Sequence, residues 1–245
     1  MFLHIPHSST NIINGIDIPY LKKNLDWFTD WFTDDLFKYK NVEQIIFPYS
    51  RLCVDVERLI NDPMTKFGKG MFYVTDVDGI EIKRRISDQT LKRLYKNHHD
   101  RLTQVTTDWL CYKQYGIIVD CHSFPNKPFP WENATIRPDI CIGHDQFHTP
   151  NDLIINLIEY FKKYQLNVTI NTPYEGTIIP NSFYKKKRCK SIMIEVNRRL
   201  YLNDEYGKNY KYDYIKRIIF NALDIINNWE KNKNDRYIKQ VGKNT

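Results

Sequence analysis

Residues 117–123 read Ile-Ile-Val-Asp-Cys-His-Ser, an unbroken apolar run closed by Asp120 and followed by His122. Such a short continuous run, bounded by turn residues, reads as a strand buried on both faces, the kind found in parallel sheets covered by helices. Gly116 stands just ahead of it and ends a long helical pattern that Ser87 or Asp88 can cap, running toward Tyr115. Behind it a proline-rich loop, residues 124–138, leads to another short strand at Asp139–Gly143.

The same alternation continues in both directions. Met1–Pro6 reads as a strand, and Trp27–Tyr39 as a helix with apolar residues three and four apart. Gln44–Phe47 and Leu52–Val56 read as two further strands. Residues 60–85, with the turn signals GKG and DVDG, read as a long excursion. Downstream come a helix at Asn151–Tyr164 with Pro150 at its first turn, strands at Asn167–Asn171 and Ser191–Val196, and a closing amphipathic helix at Tyr210–Trp229. Strands alternating with helices predict an α/β fold with a mixed, mostly parallel central sheet flanked by helices. One domain over residues 1–230 and a basic, loosely held tail over 231–245 are expected.

Composition narrows the class. A hydrophobic share of 42% with 14% aromatic residues fills a core, so disorder is not expected. No stretch approaches the ~20 apolar residues of a membrane span. The start MFLHIPHSS lacks the basic lead-in of a signal peptide, which makes the cytoplasm the expected compartment. The five cysteines form no CxxC pair and read as small buried hydrophobes. The net charge of +7 raises nucleic acid as a partner. Much of the excess lies in Lys185–Arg188 and residues 231–243, with no recognition motif nearby, so a solvated basic surface without nucleic acid is the expectation.

Ligands of open α/β sheets bind beyond the carboxyl ends of the strands. Three such ends carry polar residues that packing alone does not explain: His7 in HIPHSS, Asp120 and His122 in IIVDCHS, and Glu195 in SIMIEVNRR. A catalytic zinc takes three protein ligands and leaves a position for water. His7 and His122 are candidate ligands, and a carboxylate must complete the set. Asp30 and Asp34 in TDWFTDD, one helical turn apart, are the candidates. Asp120 suits a partner that orients a histidine. Glu195, inside an otherwise apolar strand, suits a general base whose burial raises its pKa. Arg51, Arg58 and Arg198 can grip a carboxylate through paired hydrogen bonds, and Ser123 adds a polar contact beside His122. Each arginine can equally be a structural partner of Asp55, Glu57 or Asp62. His98 and His99, adjacent on a helix, point about 100° apart and cannot chelate one metal together.

These motifs resemble the N-formylglutamate amidohydrolase family, whose fold is akin to zinc carboxypeptidases and aspartoacylases. The segments that carry the likeness are IPHSST, TDWFTDDLF, SRLCVDVER, GKGMFY, LYKNHHDRL, IVDCHSFP, RPDICIGHDQFHTP, NTPYEGTIIP and SIMIEVNRRLY, in family order. The resemblance implies that His7 and His122 bind the metal, that Glu195 is the general base, and that Arg58 meets a substrate carboxylate. It implies a zinc-dependent hydrolase of a small N-acyl acidic amino acid such as N-formylglutamate. Two departures bear on this. Thr10 stands where carboxypeptidase and aspartoacylase relatives have a glutamate three residues after the first histidine, so the third ligand comes from elsewhere. Asp55-Val56-Glu57-Arg58 replaces the family's common Asp-Leu-Asn-Arg. A carboxypeptidase-like or cell-wall-peptide amidase at the same site is the neighbouring alternative, and a basic nucleic-acid-binding protein with a decayed site the distant one. Oligomeric state is not legible.

Overall fold

The computed structural model describes residues 1–132 and 137–241. In chain order the elements are β1 (Phe2–Ile5), β2 (Ile16–Asp17), α1 (Leu21–Phe28), α2 (Thr33–Leu36), β3 (Gln44–Ile46), β4 (Lys83–Arg84), α3 (Asp88–Tyr112), β5 (Gly116–Phe124), β6 (Ile140–Gly143), α4 (Asn151–Lys163), β7 (Val168–Ile170), β8 (Cys189–Asn197) and α5 (Tyr212–Val241). Six strands form one sheet in the order β3-β1-β5-β8-β6-β7, while β2 and β4 pair separately. Only the β6–β8 neighbours of the large sheet run antiparallel, so the sheet is mixed and mostly parallel.

Strand alternation decides what each face carries. Leu3, Ile5, Val119, Cys121, Ile192 and Ile194 turn to one face, where they pack with apolar residues of α2, α4 and α5. Phe2 and Ile118 turn to the other, against Leu102, Val105 and Leu110 near α3. His4 and Asp120 are register partners, as are His122 and Glu195, and Asp120 and His122 lie two residues apart on one strand. Partners in register share a face, so all four polar side chains fall on the α3 side of the sheet. The chain follows Ser87, whose side chain accepts from Thr90 N–H as the N-cap of α3.

Three sequence expectations are corrected here. Leu52–Val56 is not a strand but a series of turns. Its apolar residues fill a second cluster with Met71, Tyr73, Ile82 and Leu91, so burial rather than pairing explains the run. The helix expected at Trp27–Tyr39 is broken: α1 ends at Phe28, Phe32 takes a left-handed φ of 59°, and only the short α2 follows. The intervening Asp30 N–H donates to His7 O at 2.9 Å, tying the break to the end of β1. The closing helix, expected to stop at Trp229, continues to Val241. Within this added stretch, Asn234 Oδ1 accepts from Tyr115 N–H at 2.9 Å. Glu230 accepts from Trp109 Nε1, Lys113 Nζ and Ile117 N–H at 3.0, 2.8 and 3.1 Å, docking α5 under the sheet.

One glycine governs a close approach. A Cβ on Gly143 would lie 2.3 Å from Gly176 O, so its absence lets the loop after β7 settle against the sheet. That loop brings Ile178 N–H to Asp120 Oδ2 at 3.0 Å. All five cysteines are free, with Cys111 exposed and the others buried. No helix among the described residues is long and apolar enough to cross a membrane.

Candidate active site

The carboxyl ends of β1, β5 and β8 open into a cavity of about 470 Å³ whose lining includes His7, Asp30, His122 and Glu195. His7 and His122 are tilted rings 5.1 Å apart between centroids. Asp30 Oδ2 stands 3.1 Å from His122 Nδ1 and 3.8 Å from His7 Nδ1. Within this trio, each side chain offers one ligand atom lying within 4.8 Å of the other two. Asp34, by contrast, is exposed on α2 and takes no part. The break after α1 separates the two aspartates that a continuous helix would have stacked.

The outward nitrogen of each histidine is held by a carboxylate. His7 Nε2 lies 2.9 Å from Asp55 Oδ1, and His122 Nε2 lies 3.0 Å from Asp120 Oδ1. This leaves the Nδ1 atoms turned toward Asp30, the arrangement that orients histidine ligands of a metal. His7 Nδ1 is fully buried without a hydrogen-bond partner among the described residues. A buried acceptor left unmatched costs about 1–3 kcal/mol, and a divalent cation between these three atoms would remove that cost. The charges agree. Burial opposes a charge on His122, yet Asp120 and Asp30 outweigh it and raise its pKa well above the usual range. The chain therefore favours positive charge at this point. Two imidazole nitrogens and one carboxylate oxygen form a donor set that suits zinc, so the residues fit such an ion.

Supporting residues hold the carboxylates. Asp55 is buried and accepts from Arg51 Nε and Nη2 at 3.0 and 2.7 Å and from Tyr73 OH at 2.9 Å. Burial alone would raise its pKa, but Arg51 and His7 hold it well below the ordinary carboxylate range. Asp30 Oδ1 accepts from Arg198 Nη2 at 2.9 Å. Arg198 also donates to Ser123 Oγ at 3.2 Å and Trp27 O at 2.8 Å, and Ser123 N–H donates to Asp30 Oδ2 at 3.2 Å. Arg198 and Ser123 thus brace Asp30, and Arg51 braces Asp55. The sequence left each arginine open between substrate and a structural partner and gave Ser123 to substrate; in the structure these donors serve the protein itself, Arg51 through Asp55 as the structural reading had it.

Arg58 differs. Its Nε is buried without a hydrogen-bond partner among the described residues, and the oxygens of Asp55 and Asp62 lie 3.6 and 3.9 Å from its guanidinium. It lines the same cavity. Glu195 is also unengaged: Oε2 is buried without a hydrogen bond, and burial pushes the carboxyl up to about 8. Opposite stand Phe28, Phe129 and Trp131, the last two stacked at 4.9 Å and 15°.

Sequence reasoning missed Tyr73 and His4 as parts of this neighbourhood, and named Asp55 only as a partner for an arginine, not for His7. Asp55 in LCVDV and His4 in FLHI each interrupt an apolar run, the same signal that singled out Glu195. Tyr73 was visible only as the end of the GKGMFY segment, with no role attached, because its hydroxyl partner lies 18 residues away. Arg188, in the basic run read as a solvated surface, donates to backbone carbonyls of Leu110, Lys113 and Gln114 and so closes the end of α3.

The fold is similar to the crystal structure of N-formylglutamate amidohydrolase from Ralstonia eutropha JMP134, with a TM-score of 0.80 and 17% identity over 95% of this chain and 94% of that one. It is also similar to a gene product of Agrobacterium tumefaciens, with a TM-score of 0.61 and 17% identity over 92% and 91% of the two chains. No curated protein sequence matches. The family profile described as N-formylglutamate amidohydrolase matches residues 1–202, which span every strand of the sheet and every residue of the site. By that match the chain belongs to the N-formylglutamate amidohydrolase family.

Proposed function

We propose that the chain is a zinc-dependent amidohydrolase that releases formate, or another small acyl group, from the nitrogen of an acidic amino acid such as glutamate. The observation that carries this is the placement of the unengaged Glu195 carboxyl beside the His7–Asp30–His122 cluster, in a cavity also lined by Arg58, whose Nε has no hydrogen-bond partner among the described residues. Family membership supports the amide as the bond cleaved.

His7, Asp30 and His122 would hold the ion. When bound, zinc supplies a Lewis acid for the acyl carbonyl and makes water a better nucleophile near neutral pH. The remaining chemistry belongs to the chain. Glu195 takes a proton from the water that attacks the acyl carbon and returns it to the leaving nitrogen, so the amide is exchanged for formate and free amine. A pKa near the working pH suits both halves of that transfer. Asp55 and Asp120 keep the histidines in the required tautomer. Arg58 binds a carboxylate of the substrate, and Asp30 is held ionised by His122 and His7 first, with Arg198 adding to them.

Glu195→Gln tests the assignment. Turnover of N-formylglutamate falls by at least a hundredfold while zinc content stays at the wild-type level, since general acid–base groups contribute roughly 10²–10⁴ in rate. Undiminished turnover in that variant removes Glu195 as the base. Comparing N-formylglutamate with N-acetylaspartate and short peptides separates this activity from the carboxypeptidase-like alternative.

A further inference from the structure

Behind the first cluster, on the same face of the sheet, a second group of ligand-type side chains converges. His4 comes from β1, Asp120 from β5, and Glu57 from the turns that follow Asp55. His4 Nδ1 lies 2.8 Å from Asp120 Oδ1 and 3.1 Å from Glu57 Oε1. The three ligand atoms lie within 4.8 Å of one another, and none belongs to the first cluster.

Hydrogen bonding leaves this group incomplete. Glu57 Oε1 is buried yet accepts no hydrogen bond, although an imidazole nitrogen is close by. One donor on His4 Nδ1 cannot serve two carboxylate oxygens well, and the nearer one belongs to Asp120. An ion with bonds of 2.0–2.1 Å holds neighbouring ligand atoms roughly 3 to 3.5 Å apart, close to the spacing found here. The far sides of the ligands are also already fixed. His4 Nε2 meets His98 Nε2 at 2.8 Å, so a His4 that coordinates through Nδ1 can donate from Nε2 to a neutral His98. Asp120 Oδ2 accepts from Ile178 N–H at 3.0 Å. His99 Nε2 bonds Val56 O at 2.9 Å, steadying the backbone beside Glu57.

We propose that His4, Glu57 and Asp120 form a second divalent-cation site, separate from His7–Asp30–His122, for zinc or a similar small ion that accepts nitrogen and oxygen ligands. Asp120 stands between the two sites: its Oδ1 ligates the second ion with one lone pair and accepts from His122 with the other. Glu57 supplies the second negative charge that a divalent cation held by one histidine and one aspartate still needs. The two sites share Asp120, a ligand of one and the partner of His122 in the other, but have no ligand in common, so loss of one leaves the ligands of the other in place.

The test is zinc stoichiometry of the metal-free full-length chain, read by calorimetric titration and by elemental analysis after desalting. Cobalt(II) absorption in the visible range gives a second readout. Wild type takes up two equivalents; Glu57→Gln and His4→Ala each take up one, and His7→Ala also takes up one, by losing the other site. Glu57→Gln is isosteric and lies in turns, so it keeps its fold where a strand substitution at His4 could fail. A single equivalent in wild type, abolished by His7→Ala and untouched by Glu57→Gln, overturns the second site and leaves the proposed function standing. No uptake in folded wild type overturns both.

Discussion

Replacing Arg198 with methionine separates a brace from a substrate ligand. The side chain is 5% exposed, and it is the charged partner of Asp30, whose own exposure is 2%. Methionine keeps much of the apolar stem but removes the charge and every donor. Asp30 is then left as a buried carboxylate with its remaining bonds to His122 and Ser123, and the carbonyls of Trp27 and Ser123 lose their donors. Breaking one side of a buried pair costs about 3–5 kcal/mol. At about 2–4 °C per kcal/mol for a chain of this size, the melting temperature falls by about 6–20 °C. Because Asp30 is also a candidate ligand, zinc affinity falls by roughly ten- to a hundredfold. Thermal denaturation of the metal-free variant and chelator competition for zinc measure the two effects. The double variant with Asp30→Asn should be less damaged than the sum of the singles, since both remove the same interaction. A melting temperature unchanged from wild type, with KM alone raised, refutes this account and returns Arg198 to the substrate.

Arg58 should behave in the opposite way. Arg58→Ala raises KM for N-formylglutamate by roughly ten- to a hundredfold, the value of about 1.5–3 kcal/mol for a hydrogen bond to a charged group, with little loss of melting temperature; steady-state kinetics with an unchanged KM rule the contact out. His4 should impose a pH dependence on the metal-free chain. Burial opposes its charge, but Asp120 and Glu57 overcome this and raise its pKa to about 9. A folded-state pKa above the unfolded value of about 6.5 gives stability that is complete below that value and lost as pH rises through about 9, by up to about 3 kcal/mol. Urea unfolding across that range shows the slope in wild type and its absence in His4→Asn; equal slopes in both remove His4 as the source.

The likeness to solved structures at 17% identity speaks for the fold alone, and the geometry of the site carries the chemical reading. The cavity mixes a charged floor with an aromatic wall of Phe28, Phe129 and Trp131, so ions at its floor would work in a partly desolvated space where charges interact more strongly than in water.

What the sequence by itself determined was whatever depends on neighbours along the chain. The apolar run at Ile117–Cys121, the Ser87 cap and the alternation of strand and helix patterns follow from local periodicity, and they were enough to specify a mixed, mostly parallel sheet. Polar residues at strand ends were visible for the same reason, because a charge inside or just beyond an apolar run is conspicuous without any knowledge of its partner. The tertiary structure alone decided the partners. Asp30 meets His122 across 92 positions and Arg198 across 168, and no local pattern encodes such pairs. It also brought Asp30, and not Asp34, beside His7 and His122, through a helix break whose backbone bond goes to His7 rather than to the next turn. Leu52–Val56 shows the limit most plainly: its four apolar residues can be there because they are paired in a sheet or because they are buried in turns, and only the packing around them tells which.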